Sequence, residues 1–134
     1  MNGIGIKYRI YPDKKQQQVL AQMFGCNRFI YNHFLQLKKM TYEANKQSIG
    51  FAECCRLLTS LKQHPDHLWL QEAPLVSLQQ SLRHLDRAYQ SFFKTKKGYP
   101  KFKSKYARQS ISFTKGHVRF VDNGILIPKL SSPI

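Results

Sequence analysis

The sequence predicts an α+β fold in which a block of helices is inserted between short strands. Residues 4–11 alternate apolar and polar side chains with the two-residue period of a half-buried strand. The middle of the chain carries apolar residues at the three- and four-residue spacing of helices. The last quarter returns to short alternating runs around a turn sequence. The predicted order is therefore strand, helical block, basic linker and small sheet.

The first predicted strand ends at Pro12, and two helices follow it. Asp13 is a good N-cap, with Gln16 three residues on to complete a capping box. Gly25 is predicted to end the first helix, because glycine commonly follows the last helical residue. A second helix, rich in aromatic and aliphatic residues, is predicted over residues 27–45.

Two further helices complete the predicted block. One covers residues 51–62, and the sequence His64-Pro-Asp66 breaks the helical pattern after it. The clearest helix opens near Pro74, since proline fits the first helical position, and continues to about Lys94.

Short strands are predicted beyond the helices, over residues 110–114 and 117–121. The Asp-Asn-Gly sequence at 122–124 is typical of a hairpin turn and leads into the apolar residues 125–127. Residues 131–134 are predicted to be unstructured.

The charge balance restricts the class of partner. The chain has 22 Lys and Arg against 7 Asp and Glu, a net charge of +15, which predicts a polyanionic partner. A membrane-binding protein would need a long apolar span or a basic helix with a clean apolar face, and the sequence has neither. Apolar residues make up 42% of the chain, enough for a core, so a disordered basic tail is excluded.

The first residues contain no apolar secretion segment, so we expect a cytoplasmic protein. The three cysteines are Cys26, Cys54 and Cys55. Their odd number and the adjacent pair argue against disulfides and metal binding, so we expect reduced, buried thiols.

The strongest charge feature is a basic linker over residues 94–108. No acidic residue occurs between Asp86 and Asp122. The cations alternate with aromatic residues, which places faces for base stacking beside ligands for phosphate. The alternative is a solvated linker whose aromatic residues only pack. The predicted phosphate ligands are Lys94, Lys96, Lys97, Lys101, Lys103, Lys105 and Arg108, and the interleaved aromatic residues are Tyr99, Phe102 and Tyr106.

No catalytic or metal site is predicted. His64 and His67 form a candidate metal pair, but no second spaced pair of ligands completes a tetrahedral site. The carboxylates are scattered, whereas cleavage of a phosphodiester by two metal ions requires several of them to converge. We therefore expect no cofactor and no catalytic residue in this chain.

Gln79, near the start of the long helix, is a candidate base contact. Its side-chain amide matches the N6 and N7 positions of adenine. A solvated polar face explains the same spacing equally well.

Eight short motifs occur in order along nearly the whole chain. They are Tyr8-Arg-Ile-Tyr-Pro12, Gly25-Cys-Asn-Arg-Phe-Ile-Tyr-Asn32, Trp69-Leu, Leu78-Gln-Gln-Ser-Leu82, Leu85-Asp-Arg-Ala-Tyr89, Phe92-Phe93, Pro100-Lys-Phe-Lys-Ser104 and Ile127-Pro-Lys-Leu130. Together they closely resemble the opening of the TnpB/OrfB family of transposon-encoded proteins. Each motif alone is weak, and their order and spacing carry the resemblance.

The resemblance implies a wedge domain, an incomplete small β-barrel into which a helical recognition lobe is inserted. Residues 1–12 are then expected to form the first wedge strand and residues 13–93 the recognition lobe. Residues 94–108 would be the basic linker and residues 109–134 further, truncated wedge strands. Full-length members of the family look like RNA-guided DNA nucleases, so guide RNA and target DNA are the expected partners.

The resemblance also bears on individual residues. Gln79 is similar to a family position that faces a short duplex motif, with Phe51 and Thr114 as neighbours. The family's RuvC-like carboxylates and zinc element lie downstream of the region represented here, so no residue of this chain inherits those roles. The region is often named a helix-turn-helix, although its helices fit a recognition-lobe bundle better than a reader of the major groove.

The family pattern stops after Leu130, where a glycine and further strands are expected, and we interpret the departure as a truncation. Two functions then compete. The chain is either the nucleic-acid-binding part of a transposase-related nuclease, or an interaction module that docks onto a separately encoded nuclease half or an intact relative.

Overall fold

A computed structural model describes residues 5–96, 98–114, 116–122 and 124–134. The helical block consists of α1 (Lys14–Asn45), α2 (Phe51–Gln63), a 3-10 helix (Pro65–Glu72) and α3 (Leu75–Thr95). Two short strands follow, β1 (Arg119–Val121) and β2 (Gly124–Leu126). The predicted α+β class is confirmed at this level. No helix in the described ranges is long and apolar enough to cross a membrane.

The start of α1 follows the predicted capping box. The Asp13 carboxylate accepts a hydrogen bond from the Gln16 backbone N–H at 2.8 Å, and the Gln16 side chain accepts one from the Asp13 N–H at 2.9 Å. The predicted end at Gly25 is wrong, since the helix runs on to Asn45. Gly25 needs no left-handed backbone, and the buried stripe that contains Met23 and Cys26 continues past it.

The later helices agree with the sequence pattern. The predicted helix over 51–62 becomes α2, and the predicted break appears where the 3-10 helix begins at Pro65. Pro74 precedes α3, and Lys96 caps the C-terminal end of this helix with a left-handed φ of 55°. The core lies mainly between α1 and α3, and its largest fully buried side chains include Met23, Ile30, Phe34, Leu35, Leu58, Leu70, Leu78, Leu82 and Leu85.

A buried polar network joins α1 to α3. Asn27 donates to the Met23 carbonyl at 2.8 Å and to the Ser77 hydroxyl at 3.2 Å, and it accepts from the Ser81 hydroxyl at 2.7 Å. The Ser77 hydroxyl donates in turn to the Pro74 carbonyl at 2.8 Å. Each polar group therefore has a partner, which offsets the cost of burying it.

The predicted hairpin is present in a shorter form. β1 and β2 pair antiparallel, with Arg119 opposite Leu126 and Val121 opposite Gly124. Residues 110–114 form no strand, so that prediction is wrong. The sheet of the described residues has two strands and closes no barrel.

The segment before α1 is not a strand. Residues 5–12 have no regular secondary structure, and Ile6 and Tyr8 are 68% and 64% exposed. Tyr8 meets Phe120 of β1 edge to face, with ring centroids 6.0 Å apart. The strand prediction is wrong for these residues, because alternation makes a strand only where a neighbouring edge accepts its backbone hydrogen bonds.

The last residues are held, contrary to the prediction that 131–134 are unstructured. Ile134 exchanges two backbone hydrogen bonds with Ile125, of 2.9 and 3.0 Å. The Gln16 side chain donates to the Ser132 carbonyl at 3.1 Å. Gly124, at φ 144°, lies so close that a Cβ there would stand 2.0 Å from the Ile134 carbonyl oxygen. The end of the chain thus ties the hairpin to the start of α1.

Candidate nucleic-acid interface

The basic segment, residues 94–108, leaves α3 and returns along the helical block. Lys94 lies in the last turn of α3, and Lys96 caps that helix. Lys97 lies outside the described residues. The remaining predicted phosphate ligands all have exposed side chains; they are Lys101, Lys103, Lys105 and Arg108.

The segment is attached to α1 by Asn32. The Asn32 side chain accepts a hydrogen bond from the Lys103 backbone N–H at 2.7 Å and donates one to the Lys103 carbonyl at 2.9 Å. The Lys103 ammonium lies over the Tyr31 ring, 4.6 Å from its centroid. These contacts fix the backbone of the segment at its centre.

Gln109 forms a second attachment. Its side-chain amide donates to the carbonyls of Ser104, Lys105 and Ala107 at 3.0, 3.3 and 2.8 Å. Its carbonyl oxygen accepts from the Arg28 guanidinium at 3.1 Å. The segment is therefore shaped around one side chain and docked on α1, rather than running freely through solvent.

The three aromatic residues of the segment differ in their surroundings. The Tyr99 hydroxyl lies 2.6 Å from that of Tyr89, and its ring meets Phe92 edge to face. Tyr99 is therefore partly a packing residue. Phe102 and Tyr106 are 51% and 91% exposed, so their faces are available for stacking on bases.

A polar face of α3 presents the other candidate contacts. Gln79, Arg83, Arg87 and Lys94 lie within an arc of about 80° at 3.6 residues per turn. The Arg83 guanidinium stacks on Phe51 with 4.2 Å between its central carbon and the ring centroid. Gln79 is half-buried one turn earlier. The structure thus places Phe51 beside the helical face that carries Gln79.

Thr114, the remaining predicted neighbour of Gln79, lies after the basic segment. It is exposed, and its hydroxyl lies 2.9 Å from Nδ1 of His117. The sequence prediction also omitted Arg83 and Arg87, although their four-residue spacing from Gln79 was visible on a predicted helix.

The candidate metal pair gains no further ligands. The His64 and His67 rings lie 5.6 Å apart, and Nδ1 of His64 accepts a hydrogen bond from the Asp66 N–H. In the part of the chain that the structure describes, no three His, Cys, Asp or Glu side chains are arranged to hold a metal ion.

The thiols have the predicted environments in two cases of three. Cys26 and Cys54 are buried, and Cys55 is half-buried. Burial, together with the charge of Glu72, raises the pKa of Cys26 to about 11. Burial also raises the pKa of Cys54 and of Cys55. The three thiols are therefore protonated at neutral pH.

Comparison with protein families finds a match at the start of the chain. A family model described as a helix-turn-helix domain, and named for OrfB and IS605, matches residues 1–47. Within the described part of this range the structure has one unbroken helix, α1, and no turn between two helices.

Three relatives are similar over longer stretches. The chain is 31% identical over 129 residues to a Streptomyces pristinaespiralis protein named "Putative RNA-guided DNA endonuclease", covering 96% of this chain and 32% of that one. It is 29% identical over 125 residues to Escherichia coli K12 "Putative RNA-guided DNA endonuclease InsQ", covering 92% and 31%. It is 30% identical over 111 residues to "Virulence protein VsdF" of Salmonella dublin, covering 76% and 93%.

The three relatives differ in the share of their own length that this chain matches. The chain spans about a third of the two proteins named as endonucleases, whereas it spans nearly all of the Salmonella protein. The family model and the endonuclease-named relatives agree with the ordered motifs of the sequence. The chain therefore belongs to the TnpB/OrfB family, and its residues 1–47 match the family's N-terminal domain model.

Proposed function

We propose that this chain is a transposase-related nucleic-acid-binding protein that contacts RNA and DNA through the basic segment and the polar face of α3. The observation that carries the proposal is the docking of residues 94–108 on α1, which displays several exposed cations on a fixed backbone. A net charge of +15 supplies the long-range attraction to a polyanion.

Within this proposal the two surfaces have different roles. The cations of the basic segment contact phosphates and add affinity without sequence information. Exposed Phe102 and Tyr106 stack on unpaired bases. Gln79 reads a base edge of a short duplex motif, supported by Phe51 and Arg83 beside it. The partners are a guide RNA and a target DNA.

The proposal assigns the chain binding without cleavage. Hydrolysis by two metal ions needs carboxylates that converge on the ions. The carboxylates of this chain are spread over several elements; Asp86, for example, lies on α3 and Asp122 in the hairpin turn. Purified protein with guide RNA, target DNA and Mg²⁺ is expected to leave the DNA intact.

The binding test compares two double variants with the same loss of charge. Lys101→Gln/Lys105→Gln removes cations from the basic segment, and Lys62→Gln/Lys129→Gln removes them near the C-terminal end of α2. The first variant is expected to weaken binding to all sequences. It should also reduce the steepness of log affinity against log salt by about 1.4 to 1.8, for two lost phosphate contacts. Equal effects of the two variants would contradict the proposed interface.

A test of Gln79 separates base readout from phosphate contact. Gln79→Ala is expected to reduce discrimination between matched and scrambled duplexes by about 1 to 3 kcal/mol, with the salt slope unchanged. An equal loss on both duplexes would assign Gln79 to a solvated face.

A groove on α1 favours a second function, docking onto a separate nuclease-domain protein. The groove has a volume of about 790 Å³ and is lined by Phe29, Leu37, Met40, Trp69 and Phe102, among others. Exposed apolar surface of this kind is typical of protein interfaces. Co-purification with the nuclease-domain portion of a relative, together with weak binding to nucleic acid, would favour this function over the first.

A further inference from the structure

A cleft between α1, α3 and the basic segment has an unusual lining. Its volume is about 250 Å³, and four basic side chains line it: Arg28 from α1, His84 from α3, and Lys103 and Arg108 from the basic segment. Hydroxyl groups, including those of Ser81 and Ser112, complete the wall. No carboxylate is among the lining residues, so the positive charge has no internal counter-ion.

Three of these side chains have intramolecular contacts before any ligand arrives: Arg28, Lys103 and His84. The Asn32 side chain fixes the backbone of Lys103, and the Gln109 side chain holds one nitrogen of Arg28. Nε2 of His84 lies 3.5 Å from the Ser112 hydroxyl. Donors that are already oriented lose little conformational freedom on binding, so they favour a ligand with several acceptor oxygens.

His84 is the group of the cleft that can change its charge near neutral pH. Burial lowers its pKa, and the charges of Arg87 on the same helix and Lys103 on the basic segment lower it further. Arg28 and Tyr31 of α1 line the same cleft, as does Arg108 of the basic segment. The imidazole is therefore neutral at pH 7 in the unliganded protein, although it is surrounded by groups suited to an anion.

We propose that this cleft binds a single phosphate group of a nucleic-acid backbone, and that His84 takes up a proton from solvent as the phosphate enters. The inference rests on the proposed nucleic-acid binding and deepens it by naming the site of one phosphate. Since a water takes about 30 Å³ in the liquid, 250 Å³ holds a phosphate with some of its waters. The two unesterified oxygens of the bound phosphodiester share one negative charge and accept hydrogen bonds from the protonated imidazole and the guanidinium groups.

The direction of the pH effect follows from the charge of His84. A bound phosphate favours the imidazolium, so the pKa of His84 is higher in the complex than in the free protein. Affinity for the phosphate therefore rises as pH falls through the interval between these two pKa values. Below the lower of the two, His84 is charged in both states and affinity levels off.

The first experiment measures affinity for an unstructured single-stranded RNA from pH 7.5 to pH 5. The wild-type protein is expected to bind about five- to ten-fold more tightly at the acid end, as a rise in pKa approaching one unit requires. His84→Gln should lose this dependence and retain the salt dependence. The matched control is His117→Gln, which removes an exposed histidine beyond the basic segment and should behave like wild type.

A second measurement requires no variant and follows the His84 ring by NMR. Addition of the RNA is expected to raise the pKa of His84, and inorganic phosphate alone should do the same at higher concentration. If inorganic phosphate raises the pKa of His84 while RNA does not bind, the phosphate site in the cleft is confirmed and the proposed function is contradicted. If RNA binds in a salt-dependent manner while His84 titrates unchanged with both probes, the cleft is wrong and the proposed function stands.

Discussion

Release of the basic segment by Asn32→Ala is the sharpest mutational prediction from this fold. The Asn32 side chain makes two hydrogen bonds to the backbone of Lys103, at 2.7 and 2.9 Å, and both are lost with the amide. A net contribution of about 0.5 to 1.5 kcal/mol for each bond gives a range of about 1 to 3 kcal/mol. Because these groups are exposed, water replaces the lost partners, and the lower half of the range applies.

A loss of about 1 to 2 kcal/mol raises the population of the detached segment by about 5- to 30-fold. Hydrogen exchange of the Lys103 amide should accelerate by at least this factor, since its acceptor, the Asn32 side chain, is itself removed. Exchange in the centre of α3, near Leu82 and Leu85, should remain unchanged because those residues lie in the core. Binding to nucleic acid should weaken, because the protein must then order the segment as it binds.

The control is Gln36→Ala, one turn later on α1, where an exposed amide is removed. It should leave Lys103 exchange and binding unchanged. If Asn32→Ala leaves Lys103 exchange unaltered, the segment is held by other contacts. If both variants accelerate exchange throughout α1, the effect is one of helix stability and the reasoning about attachment is refuted.

Three further predictions concern stability and reactivity. Asn27→Ala should lower the free energy of unfolding by about 2 to 3 kcal/mol in urea titration, because it leaves the Ser81 hydroxyl without its acceptor and removes the buried donor to the Ser77 hydroxyl. The exposed control Gln18→Ala should change the free energy of unfolding by less than about 0.5 kcal/mol. Gly124→Ala should detach Ile134 and cost about 1 to 3 kcal/mol, since the backbone has φ 144° and the added Cβ meets the Ile134 carbonyl; unchanged thermal stability would contradict this. In alkylation of the native protein, Cys55 should react before the two buried thiols, which should become reactive only on unfolding; mass spectrometry of the products gives the order.

The helical block was largely predictable because its signals are local. Asp13 and Gln16 form a capping box within one turn, and Pro74 marks the start of α3. The prediction that the first helix ends at Gly25 was wrong because it considered the glycine without the buried residues on either side of it. The buried stripe of α1 passes through it, and burial outweighs a helix penalty of about 1 kcal/mol.

The sheet region was less predictable because its partners are distant in sequence. Ser132 is held by Gln16, 116 residues away. The alternation of residues 4–11 is a local pattern, and the structure gives the described part of it no strand to pair with. The division into wedge, recognition lobe and linker stays a prediction of the resemblance.

The candidate interface was predictable in composition and unpredictable in shape. A run of cations without acidic residues identified the basic segment directly from the sequence. Its attachments depend on Asn32 meeting Lys103, 71 residues later, and on Arg28 meeting Gln109, 81 residues later. Neither pair has a sequence signature. Arg83 and Arg87 were accessible from helical spacing alone and were missed.

The unbroken course of α1 fixes the spacing between the two segments that it anchors. Gln16 holds the end of the hairpin region, and Asn32 holds the basic segment, on one continuous helix. Sixteen residues at 1.5 Å each separate these two anchor points by about 24 Å. At about 3.4 Å per base pair, this equals roughly seven base pairs of duplex. The distance between these two anchor points is therefore fixed by one continuous helix, and a two-helix arrangement with a turn at Gly25 would have left that distance adjustable.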